Sequence, residues 1–308
     1  MLNVEITSLG TAIPKQSVKI AGATRYRISG NESHLGLLVE SAQKALKKAN
    51  LTINDMDAII GAVGVGLQPI PSTAALIHEA LAPEKNIPAF DINSTCTSFV
   101  TALDIVGNYI EMGRCRRVLI VSGDVPSIAL NPNEKHSFEL FGDGAVSAVV
   151  QKSERSSILF ATQLTNSRGA HLTEIVGGLT AMPAYVYSPE IAASYQFHME
   201  GRKILKLAAS FAEEGVQRLE KESGMSLADI DMVIPHQASK ALGLIMKKIG
   251  VADNQYIDIV QDYGNMVSAS IPFALDYAIE NGKVKRGDKI LLIGTAAGLT
   301  LNAMILKY

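Results

Sequence analysis

Apolar residues along this chain fall into two alternating patterns. Near-continuous runs such as Val118-Leu-Ile-Val121 and Ile290-Leu-Leu-Ile293 alternate with stretches in which apolar residues recur at helical spacing. Leu37, Leu38, Ala42, Ala45 and Leu46 predict an amphipathic helix over 37–49, and Leu205, Ala208, Ala209, Ala212, Val216 and Leu219 predict another over about 204–222. Strands without polar alternation are buried on both faces, so the pattern predicts an α/β protein whose strands lie between layers of helix.

The pattern also repeats. Leu51-Thr-Ile-Asn-Asp-Met-Asp-Ala-Ile-Ile60 resembles Met225-Ser-Leu-Ala-Asp-Ile-Asp-Met-Val-Ile234, and each follows one of the two amphipathic helices. Pro88-Ala-Phe-Asp-Ile92 corresponds to Gln255-Tyr-Ile-Asp-Ile-Val260, each expected to be a short strand leading into a polar turn and a helix. Those helices carry Ala102-Leu-Asp104 and Ala274-Leu-Asp276 and stop at Gly113 and Gly282, where glycine is the expected residue past the last turn. A duplication with halves at 1–165 and 166–308 accounts for these matches, the junction falling within 158–179 and an irregular excursion running to Tyr195.

Composition narrows the function classes. With 28 basic and 30 acidic residues the net charge is −2, so no global field draws the chain to nucleic acid or an anionic membrane, and any anionic ligand must meet a local patch. The stretch from Ile290 to Leu306 stops short of the roughly 18 apolar residues of a membrane span and reads as two strands around a glycine turn. Two cysteines, Cys96 and Cys115, are too few for a disulfide framework and suit a cytoplasmic location. There is no tryptophan.

Candidate chemistry gathers at the expected carboxyl ends of strands, where α/β folds bind ligands. Cys96, in Asp91-Ile-Asn-Ser-Thr-Cys96, stands at the start of a helix, where the macrodipole favours thiolate by about 0.3–1 kcal/mol. Lowering a thiol pKa from ~8.5 to ~6.5 needs about 2.7 kcal/mol, so a second group must help, and histidine is the usual one. His236, in Ile234-Pro-His-Gln-Ala-Ser239, follows a buried strand at the expected opening of a helix, and Asn265 occupies the second-half counterpart of the cysteine turn, at the end of a strand. Cys115, in a basic turn, and the remaining histidines read as structural or surface residues. His78-Glu79 lacks a histidine at Ala82 and fails as a zinc motif, and Gly61-Ala-Val-Gly-Val-Gly66 lacks the third glycine of a dinucleotide loop. No metal site is expected.

The cysteine turn, Pro235-His-Gln-Ala-Ser239 and Tyr263-Gly-Asn-Met-Val-Ser-Ala-Ser-Ile-Pro272 closely resemble the three signatures of the β-ketoacyl-acyl carrier protein synthase III family. Phe141-Gly-Asp-Gly-Ala145, Met199-Glu-Gly201 and Gly294-Thr-Ala-Ala-Gly-Leu-Thr300 match further landmarks. The resemblance covers essentially the whole chain and implies a thiolase fold, a five-layer αβαβα arrangement, in a homodimer. It implies that Cys96 takes an acyl group from a coenzyme A or acyl carrier protein thioester, with backbone N–H groups of Cys96, Ala297 and Gly298 holding the oxyanion. Decarboxylative condensation with a malonyl thioester would follow, His236 and Asn265 donating to the enolate oxygen, without any metal or redox cofactor. A transfer of the Cys96-bound acyl group to an oxygen, nitrogen or carbon acceptor in specialised metabolism is the alternative.

The departures from the family pattern concern thioester recognition. Members of the family carry a tryptophan and an arginine near the start that hold coenzyme A; here the arginine corresponds to Arg25 and the tryptophan is missing. Lys135 stands for a second adenine-contacting arginine, Arg202 falls at a pantetheine-contacting position, and Gly201 beside it counts among the substrate- or carrier-binding residues. The arginine expected at the carrier docking site is Ala241, leaving Lys206, Lys240, Lys247 and Lys248 as the basic rim. Ile70 matches the position at which the partner subunit offers an aromatic cap to the acyl pocket, and a smaller residue there would admit a longer or branched chain.

Overall fold

The computed structural model describes residues 1–308. In the first half β1 (Val4–Ala12), the hairpin β2 (Ser17–Ile20) and β3 (Ala23–Tyr26), α1 (His34–Lys48), β4 (Ala58–Gly61), α2 (Thr73–Leu81), β5 (Ala89–Asp91), α3 (Ser98–Glu111), β6 (Arg117–Asp124), α4 (Lys135–Leu140) and β7 (Gly144–Lys152) follow in order. The second half runs β8 (Ser157–Thr165), β9 (Thr173–Glu174), β10 (His198–Met199), α5 (Gly201–Ser223), β11 (Met232–Pro235), α6 (Leu242–Lys248), α7 (Val260–Tyr263), α8 (Ser270–Glu280), β12 (Lys289–Ala296) and β13 (Thr300–Lys307).

Two mixed sheets form, ordered β1-β7-β6-β4-β5 and β8-β13-β12-β11. In each, the last strands run parallel and the rest antiparallel, so the sheets superpose as repeats. Successive residues of one strand serve different cores, as a period of 2 requires. Val118 and Ile120 of β6 join the central core and Leu119 and Val121 an outer one; Ile290 and Leu292 of β12 join the central core and Leu291 and Ile293 the other outer one. The central core is filled by Phe99, Leu103 and Val106 of α3 and Ile271, Ala274 and Leu275 of α8, which lie between the sheets. Helix α1 covers the outer face of the first sheet, and α5 and α6 that of the second, completing five layers.

The repeat extends to polar detail. Asp55 Oδ2 accepts the Thr52 N–H at 2.8 Å, and Asp229 Oδ2 accepts that of Ser226 at 2.7 Å. Asp57 then receives the N–H of Arg117, and Asp231 that of Lys289, pinning β6 and β12 at equivalent points. Gly113 and Gly282 end α3 and α8 with φ of 73° and 66°, the left-handed geometry that costs glycine least.

Three expectations need correction. The boundary does not fall at 165/166: β8 pairs with β13 in the second sheet, so the halves meet in the turn between Lys152 and Ser157. The strand expected over 255–260 shrinks to a single bridge between Tyr256 and Val233, because the chain there turns to pass beneath the loop after β11. Asn265 accordingly follows the short helix α7 rather than a strand, and is tied by an isolated bridge to Phe141. No helix is long and apolar enough to cross a membrane.

Candidate active site

The carboxyl end of β12 organises the site. His236 leaves β11 with its N–H on the Ile293 carbonyl at 2.8 Å and does not open a helix; α6 begins only at Leu242. Gln237 holds the loop by donating from Nε2 to Pro235 and Ile257 carbonyls and accepting the Ile259 N–H at 2.9 Å. Gly294 makes the fit possible, since a Cβ there would stand 2.7 Å from His236 Cβ and 3.3 Å from Thr97 Cγ2. The histidine loop and the cysteine turn thus meet over one glycine.

His236 Nδ1 lies 2.9 Å from the Thr295 carbonyl and Nε2 lies 3.2 Å from Asn265 Oδ1. Both neighbours are acceptors, and a neutral ring carries one N–H, so it can serve only one of them at a time. Burial at 4% exposure pushes the imidazole pKa down to about 4, against the pull of Asn265 and Thr295, and the ring is neutral at physiological pH. The orientation of the Asn265 amide is fixed by the Val267 N–H, which donates to Oδ1 at 2.8 Å, and by Ser270 Oγ at 3.2 Å. The Asn265 Nδ2 group donates to no protein acceptor and is available to a substrate oxygen.

Cys96 sits in the 3-10 turn Thr95–Thr97 that leads into α3. Its Sγ lies against its own backbone N–H, the Ala297 N–H and the Thr95 hydroxyl. The sequence expectation of a thiolate is reversed. Burial, with the Asp124 charge second, pushes the thiol up to about 12, overwhelming those donors, although part of the residue's surface reaches solvent. The N–H groups of Cys96 and Ala297 thus converge on Sγ. Ala297 and Gly298 belong to the tight turn between β12 and β13, in which Gly298 has φ 92°. Cys115 is half-buried at the edge of the central core, away from this chemistry.

The proposed binding residues separate into distinct groups. Arg25 is 0% exposed and donates to the backbone carbonyls of Thr24, Glu139 and Gln261, so it is not a thioester ligand. It fastens β3 to the segments on either side of Asn265, because the neighbouring Leu140 carbonyl accepts the Asn265 N–H at 3.0 Å. Lys135 is exposed at the start of α4. Gly201 begins α5, with Arg202 and Lys206 exposed along its first turns. Lys240 pairs with Glu139 at 3.0 Å and Lys248 with Glu213 at 3.2 Å, while Lys247 is exposed and makes no ion pair. Ile70 is 84% exposed in the loop before α2, far from any apolar cover within this chain.

Sequence reasoning passed over two buried residues, Asp124 and Ser268. Asp124 Oδ2 accepts the Ser268 hydroxyl at 2.5 Å and Ser268 N–H at 3.1 Å. The signal for Ser268 was present in the repeat: aligning Asn265 with Asn93 puts Ser268 opposite Cys96.

Comparison with known proteins bears on the family and the fold. The family model for 3-oxoacyl-[acyl-carrier-protein] synthase III matches residues 90–167, and the model for the C-terminal part of that family matches 220–308. The β-ketoacyl-[acyl-carrier-protein] synthase III of Clostridium perfringens is 34% identical over 287 residues, covering 93% of this chain and 88% of that protein. The crystal structure of 3-oxoacyl-[acyl-carrier-protein] synthase III from Aquifex aeolicus superposes with a TM-score of 0.86 at 30% identity, over 99% of this chain and 100% of that one. Xanthomonas campestris OleA, at 18% identity and a TM-score of 0.86 over 99% of this chain and 98% of that one, shares the fold. The thiolase fold, the duplicated halves and the matched length together place this chain in the β-ketoacyl-[acyl-carrier-protein] synthase III family.

Proposed function

We propose that this protein is a decarboxylative condensing enzyme whose nucleophile is Cys96. The observation that carries the reading is the shared support at the end of β12: Thr295 holds the His236 ring and Ala297 presents its N–H to Cys96 Sγ. In the first step Sγ attacks the carbonyl carbon of an acyl thioester. Its proton passes through His236 Nε2 to the departing thiolate, the ring keeping its Nδ1 proton on Thr295. The N–H groups of Cys96, Ala297 and Gly298 stabilise the tetrahedral oxyanion.

A malonyl thioester then loses carbon dioxide, and the electron pair of the broken C–C bond becomes an enolate. Asn265 Nδ2 donates to the enolate oxygen, joined by His236 when its one proton is on Nε2. Neither donor is charged, so the departing carboxylate is not held back while the developing oxyanion is stabilised. The enolate carbon attacks the acyl carbon, the C–S bond to Cys96 breaks, and a solvent proton restores the thiol. No electrons are gained or lost overall, and the scheme calls for neither a redox group nor a metal.

The donor and partners follow the same reading. Arg202, Lys206 and Lys247 are exposed and free of ion pairs, and we assign them to the anionic surface of an acyl carrier protein; Lys240 and Lys248 serve it only by exchanging Glu139 and Glu213. The exposed Ile70 and the open outer edge of β5 support a homodimer in which Ile70 reaches the partner's acyl pocket. Intact-protein mass spectrometry after incubation with acyl-coenzyme A and acyl carrier thioesters tests the reading. Cys96 should gain the acyl mass, and a malonyl thioester should then release carbon dioxide and a 3-oxoacyl product. An acylated Cys96 that transfers to an alcohol or amine without releasing carbon dioxide would replace condensation by simple acyl transfer.

A further inference from the structure

The duplication leaves a second copy of the cysteine turn in the C-terminal half. Asn93 Oδ1 accepts the Thr95 N–H at 2.7 Å, as Asn265 Oδ1 accepts that of Val267 at 2.8 Å. Ser98 Oγ accepts the Ser94 N–H at 3.0 Å, as Ser270 Oγ accepts that of Met266 at 2.9 Å. Thr95 and Val267 share a left-handed backbone, with φ of 53° and 52°. Ser268 therefore stands in the place of Cys96. The N–H of Ala62 bonds the Val121 carbonyl as that of His236 bonds Ile293, so the place of the histidine is taken by Ala62. With serine for cysteine and alanine for histidine, the second centre lacks a nucleophile and base pair.

What it contains instead is a buried carboxylate. Asp124, 1% exposed at the end of β6, accepts the Ser268 hydroxyl and N–H, the Val65 N–H at 2.7 Å, and the Gly64 N–H at 3.1 Å to each oxygen. One side chain thus binds the loop after β4 in the first half to the turn beside Asn265 in the second. We infer that Asp124, acting through Ser268, is a positioning residue that fixes the Asn265 amide for the condensation step.

The chain of contacts is short. Ser268 directly follows Val267, a β-branched residue in a left-handed conformation that it leaves unless held. Val267 N–H in turn sets which end of the Asn265 amide faces the substrate. Releasing Ser268 lets Val267 relax and the amide rotate, so Nδ2 no longer points where the enolate oxygen forms. The cysteine turn has supports of its own: Asn302 Nδ2 donates to Thr97 Oγ1 at 2.7 Å, and Ala297 N–H faces Sγ. These two do not pass through Asp124; the one link between the turn and Asp124 is the Gly64 carbonyl, which accepts Asn93 Nδ2 at 3.1 Å from a loop whose N–H groups Asp124 holds, and Ser268→Ala leaves that loop bound. The charge of Asp124 also opposes ionisation of the thiol, so removing it does not handicap the nucleophile.

The inference rests on Asn265 as the enolate donor, and the test separates the two. Ser268→Ala, Asp124→Asn and Asn265→Ala are compared for the rate of Cys96 acylation by mass spectrometry and for carbon dioxide release from a malonyl thioester on the acylated enzyme. Ser268→Ala should slow carbon dioxide release about 10- to 100-fold while acylation stays within about threefold of wild type, and Asp124→Asn should slow the release at least as much. Ser268→Ala should add little further loss in the Asn265→Ala background. Equal losses in both steps in Ser268→Ala, or a full additional loss in that background, would overturn the positioning role. An Asn265→Ala enzyme that releases carbon dioxide normally would overturn the assignment of Asn265 and the inference with it. Loss in Asn265→Ala alone would overturn only the inference. Should Asp124→Asn fail to fold, Ser268→Ala, which removes one hydroxyl, decides the outcome.

Discussion

His236 Nε2 and Asn265 Oδ1 face each other across 3.2 Å, two groups that accept hydrogen bonds unless the ring proton lies between them. The contact joins β11 to the loop before α8, and burial, working against this contact, keeps the imidazole neutral. Its neutrality has a thermodynamic signature. The pKa near 4 in the folded protein lies below the 6.5 of a free histidine. Between those values the unfolded chain binds more protons, so folding stability is complete above about pH 6.5 and declines as the pH falls towards 4. The loss attributable to His236 reaches about 3 kcal/mol at the acid end. Urea unfolding at pH 7, 6 and 5 should therefore show His236→Gln losing less stability than wild type over that interval, and parallel curves would contradict a buried neutral imidazole.

The resting Cys96 thiol should be unreactive. Burial and Asp124 hold it near 12, so iodoacetamide should alkylate it slowly at pH 7, with no inflection in the rate below about pH 9. An inflection near pH 7 would mean that a thiolate exists before substrate arrives. Reactivity that depends on the acyl thioester fits proton transfer to His236 within the complex, since exchange of the Cys96 proton then accompanies bond formation.

The architecture was largely legible in the chain because its determinants are periodic. Leu119 and Ile120 point to opposite faces and are both buried, and a run of such residues announces a strand between helical layers. Cys96, His236 and Asn265 were legible because the repeat aligned their loops. The rest depended on surroundings. A helix start favours thiolate by at most ~2 kcal/mol, and burial outweighs it, a quantity no local window contains. The identity of Arg25 suggested a ligand contact, yet its guanidinium is buried, with Nε and Nη1 on backbone carbonyls and Nη2 without a partner. The boundary at 165 was misplaced because β8 carries polar residues such as Gln163 and Thr165 on an edge strand, obscuring its membership of the second sheet.

Arg25→Met should behave as a stability variant rather than a binding variant. It removes the donors that satisfy the carbonyls of Glu139 and Gln261 in two part-buried hydrogen bonds, and such a bond contributes about 0.5–1.5 kcal/mol. Differential scanning calorimetry should show a lower Tm. At a temperature where the variant remains folded, KM for an acyl-coenzyme A should change no more than KM for the corresponding acyl carrier thioester. A selective rise in KM for the coenzyme A donor would restore Arg25 to ligand recognition.

Gly294→Ala tests the meeting of the two halves most directly. The new methyl carbon would stand 2.7 Å from His236 Cβ, 3.1 Å from Ile271 Cδ1 and 3.3 Å from Thr97 Cγ2. Ile271 can rotate, but His236 Cβ is held by its N–H on Ile293 and its ring on Thr295, so the histidine must be displaced together with its backbone. Overpacking of this kind costs about 1–3 kcal/mol of stability. The chemical cost is larger, because a shift approaching 1 Å in a group that moves protons lowers turnover about 100-fold. The two costs separate experimentally: at 20 °C the variant should give a folded far-UV spectrum and a modestly reduced Tm, with kcat for condensation reduced far beyond the small unfolded fraction. Activity that falls only in proportion to the folded fraction would mean that the imidazole position is not set by contact with β12.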